Sequence, residues 1–144
     1  VGFSGNPSVA SVSIGANTGS LAPDEIHVTN GRTFTITGGG MVNNGIFSLN
    51  SGGGLTDLSL VGAQTFNASA AGVTGELRMS DHTNNRIRTN GTVFTNGANH
   101  RISGAGQVLA NTGGLTNEGQ IVANLSNTLV IDPTARTEER RVGT

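Results

Sequence analysis

Residues 115–121 read Leu-Thr-Asn-Glu-Gly-Gln-Ile, and an apolar run, Leu-Val-Ile-Asp, follows at 129–132. In an extended chain the first, third, fifth and seventh residues of this heptad point to one face. The two outer positions, Leu115 and Ile121, are large and apolar and are expected to fill an interior. The two middle positions are Asn117 and Gly119, so the heptad predicts two short strands joined by a bend.

Weaker copies of the heptad occur upstream. Residues 41–47 read Met-Val-Asn-Asn-Gly-Ile-Phe, and a poorer copy at 87–93 reads Ile-Arg-Thr-Asn-Gly-Thr-Val. The glycines at 45, 91 and 119 are 46 and 28 residues apart, which fits stacked units of roughly 20 to 28 residues with unequal loops. Short-strand repeats of this kind are typical of solenoids. The sequence predicts an all-β, right-handed, single-stranded parallel β-helix (β-solenoid) of about six rungs, the hand following the rule for parallel crossovers.

The composition favours a narrow coil over a layered globule. The 144-residue chain contains 23 glycines, only 34% hydrophobic residues, and five Phe as its only aromatic residues. A thin coil needs little apolar volume, whereas packed layers need thick apolar faces. The sixteen asparagines, many of them beside glycine, suit tight corners because both residue types accept left-handed backbone angles.

Two interpretations of the heptad asparagines remain open. An inward Asn117 or Asn43 can hydrogen-bond to an asparagine of the next rung and so satisfy its amide along a ladder. Alternatively, both are ordinary Asn-x-Gly turns. In either case Ile121 is predicted to point inward and Gln120 outward.

Charge and motif content exclude several functions. The net charge is −1, every basic residue is Arg, and no basic stripe forms, so nucleic acid is not an expected partner. The sequence contains no run of about 18 apolar residues, so no transmembrane helix is predicted. The glycine runs at 38–40 and 104–106 precede no helix with a Lys, as a phosphate cradle would, and are predicted to be corners. No cofactor is expected.

Metal binding is also not expected. Cys is absent, which removes thiolate ligands. Residues 52–57, Gly-Gly-Gly-Leu-Thr-Asp, approach a calcium-binding nonapeptide, but Leu55 stands where that motif has Gly and no tandem copy lies one rung away. A glycine corner leading into a strand explains the stretch, and Leu55 and Val61 on either side of that strand are predicted to belong to the core.

One charged cluster of the body has residues suited to chemistry. The segment 81–88 is the most polar part of the body and is predicted to be an outward loop, which makes the cluster a solvated surface with no assigned catalytic role. His27 and His100 are isolated and are predicted to lie on the surface. The candidate surface cluster consists of Glu76, Asp81, His82, Arg86 and Arg88.

The chain divides into a repeat region at 1–133, expected to be a fragment of a longer protein, and a charged tail at 134–144. Five of the seventeen charged residues lie between 136 and 141, a run typical of a solvated end. The string at 138–143, Glu-Glu-Arg-Arg-Val-Gly, resembles translated adapter sequence, so the tail is not expected to be native.

Residues 102–106 (Ile-Ser-Gly-Ala-Gly), 115–121 and 129–133 (Leu-Val-Ile-Asp-Pro) resemble the repeat regions of large bacterial surface proteins. These are the autotransporter-passenger-like β-helices and the related sorting-signal proteins. The resemblance implies export, a location outside the cell or at its surface in association with the outer membrane, and a structural or adhesive role, with glycans or a host or matrix surface as partners. The alternative is a fragment of a β-helix polysaccharide lyase or hydrolase. Unpaired strand edges at the ends of the coil also predict end-to-end self-association.

Overall fold

The computed structural model describes residues 2–3, 5–16 and 22–134, and these fold as a parallel β-solenoid that contains no helix. Each complete turn consists of three short strands. The first two turns are β1 (Gly2–Phe3), β2 (Ser8–Val9), β3 (Val12–Ile14), β4 (Glu25–Thr29), β5 (Thr33–Ile36) and β6 (Met41–Asn43). The third and fourth are β7 (Ile46–Asn50), β8 (Thr56–Leu60), β9 (Gln64–Asn67), β10 (Gly75–Met79), β11 (Asn85–Thr89) and β12 (Val93–Asn96). The fifth is β13 (His100–Ser103), β14 (Gly106–Val108) and β15 (Gly114–Asn117), after which β16 (Gln120–Val122) and β17 (Leu129–Ile131) begin a sixth.

Three parallel sheets run along the coil. Sheet A stacks β1, β4, β7, β10, β13 and β16; sheet B stacks β2, β5, β8, β11, β14 and β17; sheet C stacks β3, β6, β9, β12 and β15. Register partners on sheet A lie from 19 residues apart (Ile102 and Ile121) to 30 residues apart (Leu49 and Met79). The predicted solenoid is confirmed, with about five turns against the six predicted.

The interior is a thin apolar column, as expected for this composition. On sheet A the column runs through Phe47, Leu77, Ile102 and Ile121, which are register partners on successive turns. The first three are fully buried, and Ile121 is partly buried against the same core. Gln120 is exposed, so the predicted inward and outward positions are confirmed. Two edge-to-face ring pairs, Phe34 with Phe47 and Phe66 with Phe94, pack inside the coil.

The predicted bend within the heptad is confirmed at both of its clear copies. The heptad at 41–47 spans β6 and β7, and the heptad at 115–121 spans β15 and β16. A Cβ atom at Gly45 would collide with the carbonyl oxygen of Asp24, and one at Gly119 with that of His100. The glycine is therefore required because the backbone of a neighbouring segment passes close to the corner.

The third copy of the heptad was assigned to the wrong corner. Ile87 lies in β11 on sheet B, so the corner at Gly91 joins sheets B and C, whereas the other two copies join sheets C and A. The true counterpart of Asn117 on the preceding turn is Asn96. Tight turns favour Asn and Gly wherever they occur, so similarity of turn residues does not distinguish one corner from another.

Two further predictions are corrected. The segment 81–88 is not one loop, because β11 begins at Asn85 and carries the rest of the segment into sheet B. Leu55 and Val61, which the sequence suggested as core residues, are 50% and 37% exposed; both lie just outside strand β8, at corners where alternation no longer sets side-chain direction. Residues 135–144 of the predicted tail lie outside the described residues. No helix of the described ranges is long and apolar enough to cross a membrane.

Candidate functional site

The five residues of the predicted surface cluster do not meet in one place. Glu76 lies in β10 on sheet A, whereas Arg86 and Arg88 lie in β11 on sheet B. Asp81 and His82 belong to the short connection between these two strands. Neighbours in the sequence are separated here because the chain turns a corner of the coil between the two sheets.

Glu76 is instead the centre of an ion-pair network on the outer face of sheet A. Its side chain is 10% exposed. Arg78 donates to Oε2 from Nη2 at 2.6 Å and from Nε at 3.2 Å. From the next turn, Arg101 Nη2 donates to Oε1 at 2.9 Å and Ser103 Oγ donates to the same oxygen at 2.6 Å. We call Glu76, Arg78, Arg101 and Ser103 the sheet A charge network.

The register of the coil creates this network. Strands β10 and β13 pair so that Arg101 lies beside Glu76 and Ser103 lies beside Arg78. Burial alone would raise the pKa of the Glu76 carboxyl, but hydrogen bonds from Ser103, Arg78 and Arg101 outweigh it and lower the pKa below the usual value. Both oxygens of the carboxylate are therefore engaged near neutral pH, which makes Glu76 a poor general base.

Two cavities adjoin the network, one at each end of the sheet A strands. Arg78 and Arg101 border both of them and are 50% and 42% exposed. The cavity at the ends of the strands has a volume of about 280 Å³, and the one at their starts about 430 Å³. The first is lined further by Asn50, Ser80, Asn124 and Leu125, and the second by Asn44, Val73, Thr74 and Gln120.

A second ion-pair network lies on sheet B and has a more closed geometry. Arg86 donates to both carboxylate oxygens of Asp57, from Nε at 2.7 Å and from Nη2 at 2.6 Å. Its hydrogen bonds to Asp57 raise the pKa of Arg86 against the opposing effect of burial. Arg88 Nη1 lies 3.7 Å from the same carboxylate. The side chain of Arg86 is only 20% exposed, so this network mainly braces β8 against β11.

The connection between β10 and β11 is held by another part of the chain. The backbone N–H of Asn127 donates to Asp81 Oδ1 at 2.7 Å, and Asn127 Nδ2 donates to the carbonyl oxygen of Asp81 at 2.9 Å. These contacts lower the pKa of the Asp81 carboxyl, the backbone bond from Asn127 having the largest effect. His82 Nδ1 accepts from the backbone N–H of Asn84 at 3.0 Å. Both side chains thus have local structural roles.

The sequence interpretation missed His100 as part of a polar chain that we call the inner ladder, in which Asn43, His100 and Asn96 are buried inside the coil and Asn117 at the end is exposed. His100 was predicted to lie on the surface but is fully buried. Its Nδ1 lies 2.7 Å from Asn96 Oδ1, and its Nε2 lies 3.2 Å from Asn43 Nδ2. Asn96 Nδ2 donates to Asn117 Oδ1 at 2.7 Å. The predicted hydrogen bond between asparagines of successive rungs is confirmed for that pair, but Asn117 is exposed and not inward. His100 bridges the gap to Asn43.

Burial lowers the pKa of His100 to about 4, although the negative charge of Glu76 acts in the opposite direction. The imidazole is therefore neutral near pH 7. Since the Asn43 amide can only donate to Nε2, the proton belongs on Nδ1, which donates to Asn96. One signal was available: His100 and Ile102 are two residues apart on one strand, so they face the same side. The partner of His100 on the preceding turn is Gly75, which leaves space for the ring.

The site offers no evident place for a metal. Within the described ranges, no group of three or more His, Asp or Glu side chains is arranged to hold a metal ion. The glycine corner that approaches the calcium motif ends at Asp57, whose carboxylate binds Arg86. Comparison of the chain with protein families, with curated proteins and with solved structures found no match.

Proposed function

We propose that this chain is a structural and adhesive module of an exported bacterial surface protein. In this proposal a stiff β-helical rod presents polar side chains and loops to glycans or to a host or matrix surface. The observation that carries it is the unbroken parallel register of three sheets over about five turns. Strands at a spacing of roughly 4.8 Å convert the outer face into a regular, rigid array of contacts.

The outer face supports attachment more than chemistry. On sheet A the outward column through Ser48, Arg78 and Ser103 is polar on three successive turns, with Arg78 exposed and the two serines covered by their neighbours. The buried carboxylate there, Glu76, is bonded to two arginines and a serine. Residues 102–106 and 115–121 also resemble the repeats of exported, surface-located proteins, and this resemblance supports the proposed location.

Display on living cells tests this function. The chain is fused between an export signal and an outer-membrane anchor, and adhesion of the cells to matrix-coated and glycan-coated surfaces is measured. Adhesion above that of cells displaying an unrelated β-solenoid is expected. Adhesion equal to that of the control cells would overturn the proposal.

Turnover assays test the alternative enzyme function. The purified chain is expected to release no unsaturated sugar from acidic polysaccharides and no reducing ends from neutral ones, with or without calcium. Reproducible release of unsaturated products, abolished by Asp81→Asn, would replace the adhesive proposal with a lyase. End-to-end association through the strand edges remains a prediction, and sedimentation over a range of protein concentrations measures it.

A further inference from the structure

We infer that the outer face of sheet A binds an acidic saccharide across Arg78 and Arg101, with its carboxylate or sulfate group on the two guanidinium groups and its neutral hydroxyls in the two adjoining cavities. This inference rests on the proposed function and specifies the ligand class. It concerns binding only, with no covalent step.

The positive charge is the first argument. Two arginines surround one carboxylate, so the sheet A charge network carries a net charge of +1. The side chains of Arg78 and Arg101 are each about half exposed, whereas the Glu76 side chain between them is only 10% exposed. Glu76 also borders both cavities, but an approaching anion meets mainly the more exposed arginines. Planar guanidinium groups match carboxylate and sulfate oxygens well.

Preorganisation is the second argument. Glu76 Oε1 holds Arg101 and Oε2 holds Arg78, so both side chains are fixed before a ligand arrives. Fixed side chains lose less conformational entropy on binding, which increases affinity. A free surface arginine would lack this advantage.

The shape and lining of the face are the third argument. The two cavities, of about 280 and 430 Å³, share Arg78 and Arg101 and lie at opposite ends of the same strands. Their volumes approach or fall within the range of small-molecule sites. Neutral amides line the outer parts, with Asn50 and Asn124 in one cavity and Asn44 and Gln120 in the other. A charged centre between amide-lined ends matches a short sugar chain that bears an acid group.

One acidic residue, Glu25, sets the direction in which the ligand extends. Glu25 precedes Ile46 and Glu76 in the same outward column, and its negative charge repels an anion on that side. Beyond Arg101 the column continues to Gln120, which is uncharged. The additional acid groups of a longer ligand are therefore expected on the side of β13 and β16.

Calorimetric titration of the full chain with tetragalacturonate tests the inference, with neutral galactotetraose and inorganic sulfate as separate probes. Tetragalacturonate is expected to bind, with an affinity that falls as salt is added. Galactotetraose and inorganic sulfate are expected to bind much more weakly. Arg78→Gln and Arg101→Gln should each weaken binding by roughly ten- to a hundredfold, since each removes a charge-assisted hydrogen bond. Asn124→Asp should also weaken binding by adding a negative charge to the rim.

The matched control is Arg88→Gln on sheet B. Arg88 is 48% exposed, close to the exposure of Arg78, and it borders neither cavity of sheet A. Its removal should change affinity by less than about twofold, because it faces a different side of the coil. Equal losses for Arg88→Gln and Arg78→Gln would indicate unspecific attraction and overturn the inference. Sulfate or galactotetraose binding as tightly as tetragalacturonate would overturn it too.

The two proposals fail separately. If displayed cells adhere but the purified chain does not bind tetragalacturonate, the saccharide site is wrong and the adhesive function stands. If Arg78-dependent binding is measured but displayed cells do not adhere, the site stands and the adhesive function is wrong. Circular dichroism melts of all four variants establish that each is folded when it is titrated.

Discussion

The inner ladder and the sheet A charge network are two polar arrangements that meet at one residue. The backbone carbonyl of Glu76 accepts a hydrogen bond from Asn43 Nδ2 inside the coil at 2.9 Å, while its carboxylate binds Arg78 and Arg101 outside. Inside, the groups are neutral and His100 is held deprotonated. Outside, they are ionised and paired. Access to water separates the two, because desolvation strongly disfavours charge in the interior.

This difference has an energetic consequence. A buried amide that loses its partners has no water to replace them, whereas an exposed guanidinium does. The inner ladder should therefore determine stability, and the sheet A charge network should mainly determine binding. The following predictions test that division.

Replacing Asn43 with Leu should have the largest effect. The amide donates to the carbonyl of Glu76 and contacts His100 Nε2, and its oxygen accepts from the backbone N–H of Gly45. Loss of these contacts should lower the free energy of unfolding by about 3–5 kcal/mol, measured by urea denaturation. Arg78→Gln is the outer control and should cost at most about 1 kcal/mol. Similar losses for both would contradict the proposed division.

Acid should destabilise the coil through His100. Its pKa is about 4 in the folded chain against 6.5 ordinarily, so between these values the unfolded chain binds more protons. Stability is then fully present above pH 6.5 and is lost as the pH falls toward 4, by about 3 kcal/mol. Unfolding free energies measured across this window test the effect.

Protonation of Glu76, whose pKa is lowered below 4.5 in the folded chain, also destabilises the coil, but mainly as the pH falls below 4.5. His100→Gln should therefore flatten the pH dependence between 6.5 and 4.5, even though it lowers stability at neutral pH. An unchanged slope would assign the acid sensitivity to other groups.

Ile121→Asp tests the register of the second clear heptad. Ile121 is only partly buried, so the added carboxylate should cost about 2 kcal/mol and not the larger penalty of the deep core. Gln120→Lys, on the outer side of the same strand, should change stability by less than about 0.5 kcal/mol. Thermal melts of both variants measure the difference, and equal shifts would show that the strand faces the other way.

Glu76→Gln should have a small effect on stability and a distinct effect on the interior. It removes the charge that holds Arg78 and Arg101, at a cost of about 1 kcal/mol. It also removes the negative charge that raises the pKa of His100, so that pKa should fall further. Nuclear magnetic resonance titration of the imidazole measures the shift, and an upward shift would contradict the proposed link between the two arrangements.

Local pattern predicted a large part of this architecture. The alternation in residues 115–121 identified Ile121 as inward and Gln120 as outward, and the glycine at its centre identified the bend. The same rule applied to His100, two residues before the buried Ile102, would have placed the histidine inside. Because His100 is isolated in the sequence from other candidate site residues, it was predicted to lie on the surface, and that prediction is wrong.

The sequence by itself determined the class of fold, since short alternating strands interrupted by Asn and Gly can bury their apolar faces only by stacking. The tertiary structure decided which residues stack. Register partners lie between 19 and 30 residues apart, because corner loops differ in length, and no local pattern encodes that variation. Only the folded coil brings Arg101 to Glu76 and sets Asn43 against His100. Side-chain alternation is a property of one strand, whereas register depends on packing between turns.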